Sequence, residues 1–136
     1  MDKRCNYPIL AAMALVVVVL ALAGTAAAAD LTVESAVVCE NVVDREPVNA
    51  AATFPVSVGR LYCFTKIVGA QEPTEIAHVW YWGDVERARV TLNVKAANWR
   101  TYSSKVIQEH EIGPWRVDIV DAAGTVLGSV RFEMTQ

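Results

Sequence analysis

Along most of this chain, hydrophobic and polar residues alternate in short runs separated by turn formers; the first segment departs from the pattern. Ile9 to Ala23 is apolar without interruption, follows Lys3 and Arg4, and leads into Ala27-Ala28-Ala29 ahead of Asp30. A basic start, an apolar middle and a small-residue end is the order of a secretory signal peptide, because the peptidase pocket admits only small side chains. The expectation for residues 1–29 is a signal helix cleaved after Ala29. The competing reading is an uncleaved membrane anchor, since Ile9 to Ala29 is about as long as a bilayer span. Alanine and glycine in the last third, and the small-residue site at its end, favour cleavage. Cys5 lies in the basic start, so it is not the cysteine of a lipid-anchored protein, which stands at the cleavage site.

From Asp30 to Gln136 no stretch holds a helical period over three turns. Instead, β-branched and aromatic runs are bounded by Gly, Pro and Asp, the spacing of a sandwich or barrel. The first run spans Leu31 to Val43, and Asp44-Arg45-Glu46-Pro47 breaks it, because Pro47 donates no amide and restricts Glu46. Strands follow at Arg60 to Val68 and Glu75 to Trp82, then beyond Gly83-Asp84 at Val85 to Val94. In that last run Ala88, Val90, Leu92 and Val94 alternate with Arg87, Arg89, Thr91 and Asn93, as in an antiparallel strand with one wet face. Trp99 to Ile107 is next, and Trp115 to Val120 with Val126 to Met134 forms a last hairpin across Gly124. About seven strands in one domain, 30–136, predict an all-β, immunoglobulin-like antiparallel sandwich.

Charge narrows the partners. Of twelve basic and fifteen acidic side chains, removal of residues 1–29 takes Asp2, Lys3 and Arg4, leaving ten and fourteen, a net of −4. The remaining cations are scattered singly, which offers no footprint for a phosphate backbone and argues against nucleic acid. Two cysteines remain, Cys39 and Cys63, and an even count in a small exported domain predicts a disulfide. Closing a loop of about 25 residues stabilises a fold by about 3.5 kcal/mol in the chain-entropy account. Two buried free thiols, packing as small apolar groups, are the alternative.

Several segments together resemble a known family: Asp44-Arg45-Glu46-Pro47-Val48, Leu61-Tyr62-Cys63-Phe64-Thr65 and His78-Val79-Trp80-Tyr81, then Ala88-Arg89-Val90. The pattern continues with Trp99-Arg100-Thr101, Ser103 and Lys105, and with Gly113, Trp115 and Gly124-Thr125-Val126-Leu127. In these the chain resembles the bacterial family catalogued as domain of unknown function 2914. The resemblance implies an envelope-associated β domain and no particular activity.

The candidate binding residues depend on one turn. His78, Trp80 and Trp82 share one face of their strand, opposite Ala77, Val79 and Tyr81. If the connection at Gly83 has two or four residues, the apolar set of the returning strand lies level with Val79. His78 and Trp80 then stand with Arg87 and Arg89 on the outer face, extended by Thr101, Ser103 and Lys105. A three- or five-residue connection buries the tryptophans instead; Gly83-Asp84 favours the even case. An exposed indole beside guanidinium groups suits a sugar ring or other planar ligand. Trp115, followed at steps of two by Val117 and Ile119, reads as core.

Catalytic chemistry finds little support. Glu109-His110-Glu111 reads as a solvated turn rather than a metal site, and Asp118 with Asp121 lacks the ligand number that calcium needs. Ser103 and Lys105 share a strand face, but a polar face is commoner than a dyad. No glycine-rich phosphate loop is present. The expectation is a periplasmic or secreted, non-catalytic domain without cofactor or metal. It would bind an envelope glycan or protein through the aromatic–basic face, and would meet a membrane only if residues 1–29 stay attached. The alternative is an assembly domain that pairs edge strands with a partner.

Overall fold

A computed structural model describes residues 30–136; the expected signal peptide and Cys5 lie outside the described residues. Among the described residues, nine strands form two sheets. β1 (Thr32–Val43), β2 (Glu46–Ala50), β4 (Arg60–Val68) and β7 (Asn98–Val106) form a four-stranded sheet in the order β2-β1-β4-β7. β3 (Thr53–Pro55), β5 (Thr74–Trp82), β6 (Val85–Val94), β8 (Gly113–Asp121) and β9 (Val126–Thr135) form a second, ordered β3-β9-β8-β5-β6. The all-β class and the two-sheet sandwich are as expected. The two additional strands, β2 and β3, are short edge strands. β2 contains Pro47, tolerated because an edge strand leaves alternate amides unpaired, and β3 pairs in parallel with β9.

Side chains on facing parities fill the space between the sheets. One apolar cluster centres on Phe132, which stacks on Trp115 at 5.8 Å and meets Trp80 and Phe54 edge-on. A second gathers Ile67, Ile76, Val94 and Ile119. Trp115, Val117 and Ile119 are all buried, as their period of two predicts.

Parity also decides the cysteines, and the expected Cys39–Cys63 disulfide is not formed. Cys63 stands opposite Val38, whereas Cys39 stands opposite Tyr62. Opposed residues share a face and neighbours alternate, so the two thiols leave their sheet on opposite sides. Cys63 joins the core, and Cys39 is buried on the outer side. Burial pushes both thiols above the ordinary cysteine value, keeping them protonated and unreactive.

Cys39 is covered because the β1–β2 hairpin folds back. Cys39↔Tyr62 is the last β1–β4 pair, and the hairpin turn follows Val43, four residues further along. Arg100 pairs with Lys66, four residues along β4 in the other direction. A straight β1 would therefore hold the turn about 26 Å from Arg100 along the strand axis. Yet Arg100 Nη1 lies 2.7 Å from Glu46 Oε1. The hairpin accordingly bends over the outer face of its own sheet and shields Phe64, which has the same parity as Cys39 and is only 5% exposed. Its two-residue turn holds Asp44 and Arg45 at φ 53° and 61°, the type I′ arrangement that glycine and asparagine usually supply.

Candidate functional site

The connection between β5 and β6 is the two-residue Gly83-Asp84 turn, with Gly83 at φ 58° and Trp82 opposite Val85. The even connection favoured by the sequence is thus present, yet Trp80 and His78 face inward. A β-bulge reconciles the two facts. Tyr81 pairs with Glu86, but Trp80 pairs with Ala88, so Arg87 is an extra residue in β6. One inserted residue exchanges the faces of everything beyond it. Trp80 and His78 therefore join the apolar parity of Ala88 and Val90, and each is 0% exposed.

The expected outer face is dispersed by this shift. His78, Trp80 and Ser103 do come together, but inside the sandwich. Arg87 donates from Nε to Glu111 at 2.9 Å and lies over the Trp82 ring. Arg89 pairs with Glu86 on the outer side of the second sheet. Lys105 donates to the carbonyl of Val106. Of the candidate set, Thr101 lines a cleft beside Trp99 and Arg100, and Arg89 lines a separate, smaller one with Glu75 and Asp121. In the Glu109-His110-Glu111 loop, Glu109 and His110 form an exposed turn as expected, but Glu111 is fully buried, accepts from Arg87 and from the Gln108 amide, and pins the loop to β6. Asp118 accepts from Arg116 and Ser129, and Asp121 accepts from the amides of Ala123 and Thr125, so both carboxylates are occupied by the fold.

The buried polar group forms a directed chain. Trp80 Nε1 donates to Ser103 Oγ at 3.1 Å, and Ser103 Oγ lies 2.7 Å from His78 Nδ1. On the other side His78 Nε2 lies 3.1 Å from Thr65 Oγ1, which donates to the carbonyl of Thr101. Thr65 spends its proton on that carbonyl, so it accepts from His78 Nε2–H; Nδ1 is then the acceptor for the Ser103 hydroxyl. One neutral tautomer completes every bond. Burial lowers the pKa of His78 to about 4, so it stays neutral. Ser103 beside an imidazole has the makings of a nucleophile, but it is 4% exposed and its histidine has no carboxylate partner, so the group ties the two sheets together.

Surface chemistry concentrates elsewhere, where the folded-back hairpin meets β7. Two adjoining clefts of about 460 and 480 Å³ share Arg45, Trp99 and Arg100. The first adds Phe64, Asn93, Lys95, Thr101 and Tyr102, and the second adds Lys66. Because β7 is the last strand of its sheet, residues of both parities reach this edge: Trp99 and Thr101 from the inner side, Arg100 and Tyr102 from the outer. Tyr102 is 48% exposed and meets Tyr62 edge-on. Arg100 is paired with Glu46, and Lys66 with Glu34; Arg45 and Lys95 make no ion pair among the described residues. The aromatic–basic combination is real, but it uses both parities of β7 rather than the single one the sequence suggested, plus a turn residue. Trp99-Arg100 in the sequence was the available signal; the fold-back that brings Arg45 to it left none.

Among the described residues, no three histidine, cysteine or carboxylate side chains are grouped to hold a metal ion. Residues 73–134, from the start of β5 almost to the end of β9, match the model of a family described as protein of unknown function (DUF2914). The family resemblance read from the sequence holds over this segment, while the motifs at 44–48 and 61–65 lie outside it. No curated protein matches the chain.

Proposed function

We propose that the chain, a member of that family by its β5–β9 segment, is a non-catalytic, immunoglobulin-like binding module of the cell envelope, exported by its residues 1–29. It takes its ligand, a glycan or protein segment, in the paired cleft between the β1–β2 hairpin and β7. One observation carries this reading: Trp99, Arg45 and Arg100 are shared by two adjoining clefts, each within the size range of small-ligand sites. A half-buried indole supplies a flat apolar surface, and the guanidinium groups supply orientation.

Edge-strand pairing with a partner has weaker support. β6, the longest edge strand, carries Glu86, Arg87 and Arg89 and contains the bulge, all devices that discourage another strand from adding.

The test is calorimetric titration of the full-length chain against peptidoglycan fragments and envelope polysaccharides. Binding that is lost in Trp99→Ala and retained in Trp82→Phe supports the cleft. Binding retained in Trp99→Ala overturns it, and no heat across the panel overturns the glycan as its ligand.

A further inference from the structure

We infer that the ligand of this cleft is an acidic oligosaccharide, a chain of sugar rings bearing carboxylates; the inference rests on the cleft reading above and names its ligand class. The first ground is charge. The chain carries an excess of acidic residues, yet no carboxylate lines either cleft, while Arg45, Lys66, Lys95 and Arg100 do. Lys66 and Arg100 are balanced by Glu34 and Glu46. Arg45 and Lys95 are left among the described residues as cations without a counter-ion, both on the wall of the same cleft. Two uncompensated cations close together repel, and an anionic ligand relieves that repulsion.

The second ground is the rest of the lining. Trp99 and Tyr102 offer apolar faces to the C–H side of a sugar ring, while Thr101 and Asn93 offer a hydroxyl and an amide for ring hydroxyls. The free edge of β7 adds unpaired backbone donors and acceptors. A bare inorganic anion would use none of these groups. The third ground is length: two adjoining clefts with three residues in common suit successive units of a chain better than one isolated ring.

The experiment titrates the full-length chain with hexagalacturonate, with its methyl ester and with inorganic tripolyphosphate. The expected result is binding of the hexauronate that weakens with salt and is on the order of tenfold weaker for the ester. Lys95→Ala and Arg45→Gly should each weaken hexauronate binding by a similar factor while leaving the far-ultraviolet dichroism unchanged. Equal affinity for the ester overturns the carboxylate requirement and leaves the cleft reading standing. Equal affinity for tripolyphosphate overturns the saccharide. No binding of the hexauronate overturns the inference, and if the envelope panel is silent as well, the glycan reading of the cleft falls with it.

Discussion

His78 on β5 and Ser103 on β7 meet across the interior of the sandwich, Nδ1 to Oγ at 2.7 Å. They belong to opposite sheets, so the bond fixes how the two layers sit on each other. Ser103 also accepts from Trp80, and the chain continues through His78 and Thr65 to the backbone of β7. Among the described residues no buried side-chain nitrogen or oxygen lacks a partner. A fully satisfied buried network aligns a core; a broken one leaves groups that water would otherwise have solvated.

Ser103→Ala should therefore cost more than one hydrogen bond, because it strands both the Trp80 indole N–H and His78 Nδ1. The expected destabilisation is about 2–3 kcal/mol, read from the midpoint of urea unfolding. A variant as stable as the parent would mean that the network does not form.

The same histidine makes stability depend on pH. Its folded-state pKa of about 4 lies below the ordinary 6.5, so on acidification the unfolded chain takes up the proton first. The stabilisation is complete above about pH 6.5 and is lost progressively as pH falls towards 4, on the order of 3 kcal/mol in all. Urea unfolding across this range should show the slope, and His78→Gln should flatten it. An identical slope in the variant contradicts the assignment.

Because Cys39 and Cys63 project from opposite sides of their sheet, reductant should leave the melting temperature unchanged. Intact mass after alkylation of the unfolded chain without reductant should show both thiols modified. An unmodified pair, two mass units lighter until reduced, would contradict the register of β1 on β4.

These outcomes show what alternation conveys and what it leaves out. The period of two in Ala88–Val94 and in Trp115–Ile119 marks strands and their buried parity, because burial on one face is all that such a pattern records. Gly83-Asp84 was legible as an even-numbered turn, of two or four residues. The bulge at Arg87 was not: an inserted residue shows only in the pairing, and the bulged residue's partner, Glu111, stands 24 residues away in the 107–112 loop. A single residue thus moved His78 and Trp80 from the expected face to the core. The cysteine count was legible too, but not the register that sets Cys39 opposite Tyr62. The cleft was half legible, in Trp99 and Arg100. Its other half waits on the fold-back of a hairpin whose second turn residue, Arg45, is not the one that local preference selects.

That unfavourable turn conformation leads to a further prediction. Arg45 occupies a positive-φ position that costs a non-glycine residue about 1 kcal/mol. Arg45→Gly should release that strain and hold or raise the stability of the fold, against the usual entropic cost of glycine. The cleft should lose one of its two uncompensated cations at the same time. Measured on one preparation, binding should fall while stability holds or rises; a loss of stability with unchanged binding would mean that Arg45 serves the turn alone.

The most direct test of the account is a proton–nitrogen NMR titration of the full-length chain with an acidic oligosaccharide, following its four indole N–H signals. The Trp99 indole and the amides of Arg100, Thr101 and Tyr102 should shift with added ligand, while the buried Trp80 and Trp115 indoles stay still. Shifts confined to Trp82 and His110, or no shifts at all, would contradict it.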